Sequence, residues 1–284
     1  MERYRFAQIA IHSVPKGEDM PAQGSRHGTP IAMPSEDAVA TSTTAIAVAD
    51  GATAKPADGL APSPISAGRL AQFVADTAVA SSLNGQALVD ELNAAVARLT
   101  EAAFDVDPPP PFQPSSCTLA CARIVDGRVE LTIVGDTSIR VLGPHGATYS
   151  GHALVDELTS AARAHYIELT GDVDGSRDFI MPLLSRQSLY RNNHRHPLGF
   201  GVIDGTATPS KFVRTITWPI DAAADCTIEI FTDGYVKVPA GITVDDWERA
   251  HAQVVDEDPA RCRTYPATKI KDDRTVVIAT IEPF

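Results

Sequence analysis

Positive charge is in short supply. The chain has 36 Asp and Glu against 24 Lys and Arg, a formal net charge of −12. So acidic a chain lacks the basic surface that binding a polyphosphate requires, and no nucleic-acid partner is expected. An anionic membrane surface is disfavoured on the same ground. Long apolar runs are missing too: none approaches the roughly 20 residues that would span a bilayer. The opening stretch, MERYRFAQIAIHSV, has a short apolar segment broken by His12 and Ser13 and no small-residue cleavage site. It reads as a first strand rather than a secretion signal. Cysteines number four, Cys117, Cys121, Cys226 and Cys262. They show neither C-x-x-C spacing nor histidines at zinc-finger distance, and read as incidental thiols in a reducing cytoplasm.

Apolar residues, by contrast, make up 44% of 284 positions, enough for a sizeable core in one large domain or two small ones. Residues 6–14 read as a strand, 16–34 as a Gly/Pro/Ser-rich loop, and 38–40 and 44–49 as two short strands. Leu70, Phe73, Val74, Thr77 and Ala78 share one helical face, as do Leu88, Leu92, Val96, Leu99 and Ala103. The run Pro108–Pro111 stops the second helix. Residues 117–125 and 128–134, joined by Asp126-Gly127, form a hairpin signal. A strand follows at 138–142, a helix at 153–166, a polar stretch read as irregular at 167–211, strands at 212–218 and 227–232, a helix at 243–255 and a last strand at 275–281. Neither an internal repeat nor a linker between two cores is visible. Paired helices set between early and late strands do not alternate as a parallel doubly wound sheet would. They suit an α+β sandwich of two antiparallel sheets flanked by helices, a single domain over 1–284.

Carboxylates recur at strand tips. Glu36 and Asp37 open a short strand in PSEDAVA, Asp50 ends TTAIAVA before Gly51, Asp233 ends TIEIFT before Gly234, and Asp272 and Asp273 begin the last strand in KDDRTVVIA. Hard dications take oxygen ligands in well-defined directions, which rigid strand ends supply. A glycine lets the backbone come close enough for its carbonyl to join them. Two dications about 3.5–4 Å apart can share a carboxylate and a bridging water that then attacks phosphorus. The competing reading is a set of turns. Asp-Gly is a common turn pair, and this chain has six, at 50-51, 58-59, 126-127, 174-175, 204-205 and 233-234.

The order of these segments discriminates between the two readings. PSEDAVA, AIAVADGAT, the stretch SSCTLACARIVDGRVELTIVGDTSIRVL, IEIFTDGYVKV and KDDRTVVIA follow one another as do the motifs of the bacterial branch of the protein phosphatase 2C family, which this chain resembles. HPLGFGVIDGTATPSKF is similar to a segment found before the late motifs there. The resemblance runs from about residue 6 to residue 281. It implies a four-layer α-β-β-α sandwich with a metal cleft at one end. It further implies a metal-dependent protein serine/threonine phosphatase in signalling, acting on a phosphoprotein through a metal-bridging hydroxide. Carried across, Asp50 bridges two Mg2+ or Mn2+ ions and Gly51 offers its carbonyl to one. Asp233 and Asp272 bind the other, Asp37 with Glu36 holds metal-bound waters, and Asp136 in VGDTS serves a third, weaker metal. As read from its own residues, Asp136 equally suits a turn that caps a strand. The segment at about 167–211 corresponds to a flap beside the cleft.

Three departures qualify the resemblance. Ala32 stands where family members often carry a phosphate-gripping Arg. Arg26, in the same loop, is the nearest replacement, and His194, Arg195 and His196 are another source of positive charge or a solvated loop. Asp273 replaces the usual Asn, which leaves open whether Asp272 or Asp273 is the ligand. Thr137-Ser138-Ile139 replaces a Ser-Arg pair, with Arg140 beyond. A catalytically weak or inactive scaffold that binds a partner protein is one alternative, and a small-molecule phosphatase is another. A cysteine nucleophile is not expected, since no cysteine has an Arg at the fifth place after it.

Overall fold

The computed structural model describes residues 4–16, 35–53, 55, 59–104, 110–143, 146–151, 153–219 and 226–283. Among the described residues ten strands form two five-stranded sheets, every pairing in them antiparallel. The first sheet has the order β1 (Tyr4–Val14), β10 (Arg274–Pro283), β9 (Thr227–Phe231), β6 (Ser138–Leu142), β7 (Ala147–Tyr149). The second has the order β2 (Asp37–Thr41), β3 (Ala45–Ala52), β4 (Ser116–Val125), β5 (Arg128–Val134), β8 (Val213–Pro219).

Alternation along the strands builds the layers. Ile46 and Val48 of β3 point into the core between the sheets, where Leu131 and Ile133 of β5 meet Ile228 and Ile230 of β9 and Val277 and Ile281 of β10. Ala47 and Ala49 of β3 point the other way, onto Leu70, Val74, Leu88 and Leu92 of α1 (Ala67–Ala80) and α2 (Gly85–Ala102). On the outer face of the first sheet, Val276 and Ile278 of β10 pack on Trp247 of α5 (Val244–Glu257). Period-2 strands with both faces apolar thus give helix, sheet, sheet and helix in succession, the four-layer sandwich that the sequence implied.

Local chemistry sets the boundaries. Asp126 and Gly127 both take positive φ, 48° and 71°, as a type I′ hairpin turn between β4 and β5 requires. Ser66 caps α1 by accepting from the Arg69 amide, and Thr243 with Asp246 forms a capping box on α5. The α2 helix ends at Ala102, ahead of the proline run, of which residues 108 and 109 lie outside the described residues.

The stretch 167–211 is more regular than the sequence suggested. Helix α3 (Leu154–Thr170) runs on to Gly171, which closes it in the left-handed conformation at φ 71°. Helix α4 (Ser176–Arg186) and a 3-10 turn at Gln187–Tyr190 follow. Pro182 inside α4 and a polar face on both helices hid this regularity from apolar periodicity. The three-residue strand β7, too short for any pattern to announce, was also not anticipated.

Candidate functional site

One end of the sandwich carries a cleft of about 920 Å³. Glu36, Asp50, Gly51, Asp136, Asp233 and Asp272, five of them carboxylates expected from the sequence, all line it. They arrive from the start of β2, the end of β3, the β5–β6 turn, the end of β9 and the start of β10. Asp37 stands behind them, its Cα paired with that of Asp50 across β2 and β3.

Gly51 is required by close approach. A Cβ there would lie 2.7 Å from the carbonyl oxygens of both Glu36 and Ala67. Its amide donates to the Glu36 carbonyl at 3.1 Å, which locks the β3 tip against β2 and the start of α1. Gly234 plays the same part on the other sheet, where a Cβ would meet the Asp273 carbonyl at 2.1 Å. These two Asp-Gly pairs therefore sit where backbones are pressed together, unlike the hairpin pair at 126-127, whose glycine has open space around it.

Thr232 ties the two sheets together behind the cleft. Its hydroxyl donates to Asp37 Oδ2 at 2.9 Å and accepts from the Thr275 amide at 3.0 Å. The other oxygen, Asp37 Oδ1, is buried and has no partner among the described residues. Asp273 is spent on structure: Oδ1 accepts from the Lys16 amide at 2.8 Å and Oδ2 from the Glu36 amide at 3.1 Å. It does not line the cleft, whereas Asp272 does. Glu36 accepts from Lys16 Nζ at 2.6 Å and from the Thr53 hydroxyl.

Burial and mutual repulsion shift the whole group. Burial pushes Asp37 up to about 6, against the opposing hydroxyls of Thr275 and Thr232. Burial, then Asp37, Asp233 and Asp272, pushes Asp50 well above the usual carboxylate range. Asp233 rises to about 6 through burial and Asp136, with Lys269 and a hydrogen bond to Asp50 opposing the rise. Asp136 rises to about 6 by burial and the nearby Asp156, and Asp272 to about 6 by burial and Asp233.

Two participants were not found in the sequence. Asp156, in the first turn of α3, lines the cleft, accepts from Gln187 Nε2 at 2.7 Å, and is pushed up to about 6 by burial. At the start of a helix it looks like an ordinary dipole-compensating acid. Lys269 is ion-paired with Asp272. Burial opposes its ammonium, but Asp272, Asp233 and Asp50 together hold its pKa above the ordinary lysine value. Of the basic residues considered from sequence, Arg26 and position 32 lie outside the described residues. His194, Arg195 and His196 do not line the cleft: His196 stacks on Tyr190, and the His194 carbonyl accepts from Lys211 Nζ at 2.8 Å.

The donor set suits hard dications. It consists of oxygens alone, one of them orphaned and buried on Asp37, and its buried aspartates repel one another, with Lys269 ion-paired to Asp272. The arrangement is not a finished cage, because among the described residues no three His, Cys, Asp or Glu side chains surround one point as ligands would. Thiol chemistry has no footing here. Five residues do separate Cys117 from Arg123, but both lie on strand β4, where Arg123 binds Asn84 Oδ1 at 3.0 Å and burial pushes the Cys117 thiol up. All four cysteines are free. Among the described residues no helix is long and apolar enough to cross a membrane.

Comparison with known proteins adds three findings. The family model of protein phosphatase 2C matches residues 32–266. No curated protein sequence matches the chain. Solved structures similar to it include the Mycobacterium tuberculosis serine/threonine phosphatase PstP, at 14% identity, a TM-score of 0.48, and coverage of 97% of this chain and 98% of that one. Stp1 from Staphylococcus aureus is 15% identical with a TM-score of 0.47, covering 97% and 95%. The Mycobacterium smegmatis phosphatase MsPP, in complex with cacodylate, is 16% identical with a TM-score of 0.46, covering 97% and 98%.

Proposed function

The chain belongs to the protein phosphatase 2C family, and from that premise we propose that it hydrolyses phosphoserine and phosphothreonine esters with the aid of Mg2+ or Mn2+. The observation that carries this reading is the gathering of Asp50, Asp233, Asp272 and Asp136 in one cleft, each with its pKa raised by burial and by its neighbours. Carboxylates are held in this repulsive state at a cost that bound cations relieve.

In this reading Asp50, the Gly51 carbonyl, Asp233 and Asp272 would hold the ions. Asp37 and Glu36 would act through waters, and Asp136 would serve a further ion, with Asp156, the carboxylate that raises its pKa most, beside it. Bound there, the ions would neutralise phosphoryl oxygens and make the attacking water more acidic. The chain's own residues do the positioning. Thr232 fixes Asp37, Gln187 fixes Asp156, and Gly51 and Gly234 let the strand tips close on one another. Lys269 offsets the charge of Asp272, and an ion held by Asp272 would replace this pairing.

The test is calorimetry of Mn2+ binding together with Mn2+-dependent hydrolysis of p-nitrophenyl phosphate. Asp50→Ala is expected to abolish high-affinity Mn2+ binding and to lower kcat by at least about 100-fold, the scale of losing a main electrostatic element. Unchanged binding in this variant would reject the ligand assignment. The second reading is a non-catalytic scaffold, favoured by the Lys269–Asp272 ion pair. Full metal occupancy with no turnover on any phosphoester would select it.

A further inference from the structure

Beside the carboxylates, the cleft has a basic wall. Lys55, four positions beyond Gly51, Arg177 in the first turn of α4, and Arg191 just after the 3-10 turn all line it. The chain has 36 acidic residues, yet none of these three cations has a carboxylate within ion-pair distance among the described residues. Arg177 Nη1 donates to the Thr268 carbonyl, and Arg191 Nη1 to the Pro114 carbonyl at 2.8 Å. Each guanidinium is thereby tethered through one nitrogen, with further N–H groups to offer. Lys55 makes no hydrogen bond to a described residue.

Gathering these charges without a counterion is unfavourable. Burial lowers the pKa of Lys55, and Arg177, Lys269 and Arg191 lower it further, against the opposing pull of Glu36. Burial likewise lowers those of Arg177 and Arg191. An anion is what makes such a wall favourable, and Arg is the residue suited to a fork-like grip on phosphate or carboxylate. The wall extends past the acidic end. Arg177 is within electrostatic reach of Asp272, but Arg191 feels Asp204, which is not one of the cleft carboxylates. A volume near 920 Å³ matches a drug-sized ligand, at the upper part of the range of about 300–1,000 Å³, rather than a lone phosphoryl group.

We propose that Lys55, Arg177 and Arg191 form a subsite for a second oxyanion on the substrate, a phosphate or carboxylate side chain beside the scissile phosphoester. This rests on the phosphatase reading of the acidic end. It makes the preferred substrate a peptide with clustered negative charge, and it places the specificity determinant on the α4 side of the cleft.

The experiment compares three phosphoserine peptides of equal length, flanked by glutamate, by a second phosphoserine or by glutamine, with p-nitrophenyl phosphate as a reference, all with Mn2+. Binding of fluorescein-labelled peptides carrying a phosphonate in place of the scissile phosphate is read by anisotropy, so that it needs no turnover. Wild-type protein is expected to favour an anionic flank over the glutamine flank by about tenfold in kcat/KM, and the two anionic peptides identify which oxyanion fits. Lys55→Met, Arg177→Met and Arg191→Met are each expected to cut that preference at least about threefold, with a smaller loss on p-nitrophenyl phosphate. Lys55→Arg is expected to keep it, which separates charge from packing. Equal kcat/KM for all three peptides, or an equal loss on peptide and on p-nitrophenyl phosphate, would overturn the subsite while leaving the phosphatase reading intact. Absence of turnover, with flank-dependent phosphonate binding that the Met variants lose, would overturn the phosphatase reading and uphold the subsite.

Discussion

Two adjacent aspartates show how much a single residue's setting decides. Asp272 and Asp273 are indistinguishable in sequence, and either could be a ligand. In the fold, Asp273 is 3% exposed and its two oxygens accept from the backbone of Lys16 and Glu36, so it joins β1 to β2. Asp272 turns into the cleft and meets Lys269. Removing a carboxyl acceptor from two part-buried amides leaves both without their partner. Asp273→Ala is therefore expected to cost about 2–3 kcal/mol in urea unfolding and to leave metal affinity less affected than Asp272→Ala does. Gly51 is the other residue whose identity is set by space. No side chain fits between two carbonyls 2.7 Å from its would-be Cβ, a constraint that Asp-Gly as a turn pair does not convey.

Elements were legible where period and turn chemistry agreed. The β4–β5 hairpin could be read because apolar strands flank a pair suited to positive φ, and α1 and α2 because their buried residues recur at helical spacing. The early motif carboxylates were legible for the same reason, since they sit at strand tips. Helix α4 could not be read, because its buried residues are few and Pro182 interrupts them. With α4 unread, Arg177 and the basic wall were invisible, as was the role of Asp156, whose partner Gln187 follows that helix. Helix α5 shows an element held by a buried network that no local pattern reveals. Trp247 is fully buried, donates from Nε1 to Glu229 Oε1 at 3.1 Å, and packs on Phe231 and Tyr235. Glu229 in turn pairs with Arg140, which also donates to the Gly241 carbonyl at 2.8 Å and so fixes the loop that leads into the helix. Trp247→Ala is expected to cost about 3–5 kcal/mol, and Thr243→Ala, which removes the cap alone, about 1 kcal/mol. Comparable losses in urea unfolding for the two variants would show that α5 is held by its cap and not by this plug.

At the scale of the whole molecule, the acidic end makes stability depend on pH in an unusual direction. Asp37, Asp136, Asp156, Asp233 and Asp272 are each pushed up to about 6 from an ordinary value of 3.8, and Asp50 higher still, by burial first and by one another second. Between about pH 4 and pH 6 the folded protein therefore binds more protons than the unfolded chain does. Stability changes with pH in proportion to protons bound unfolded minus protons bound folded, which is negative over this window. The metal-free protein is thus expected to lose stability as pH rises from 4 through 6, whereas carboxylates held in salt bridges give the opposite slope. Dications that bind the ionised carboxylates reverse the penalty, because a ligand of the folded state alone stabilises it by mass action. In EDTA, the melting temperature should fall between pH 5 and pH 7.5, and saturating Mn2+ should raise it more at pH 7.5 than at pH 5. In Asp50→Ala, both the fall and the Mn2+ response should shrink, since the most strongly shifted carboxyl is gone. A melting temperature in EDTA that rises across this range would show that the carboxylates are solvated or paired in solution, and would remove the electrostatic argument for a metal centre at this end of the sandwich.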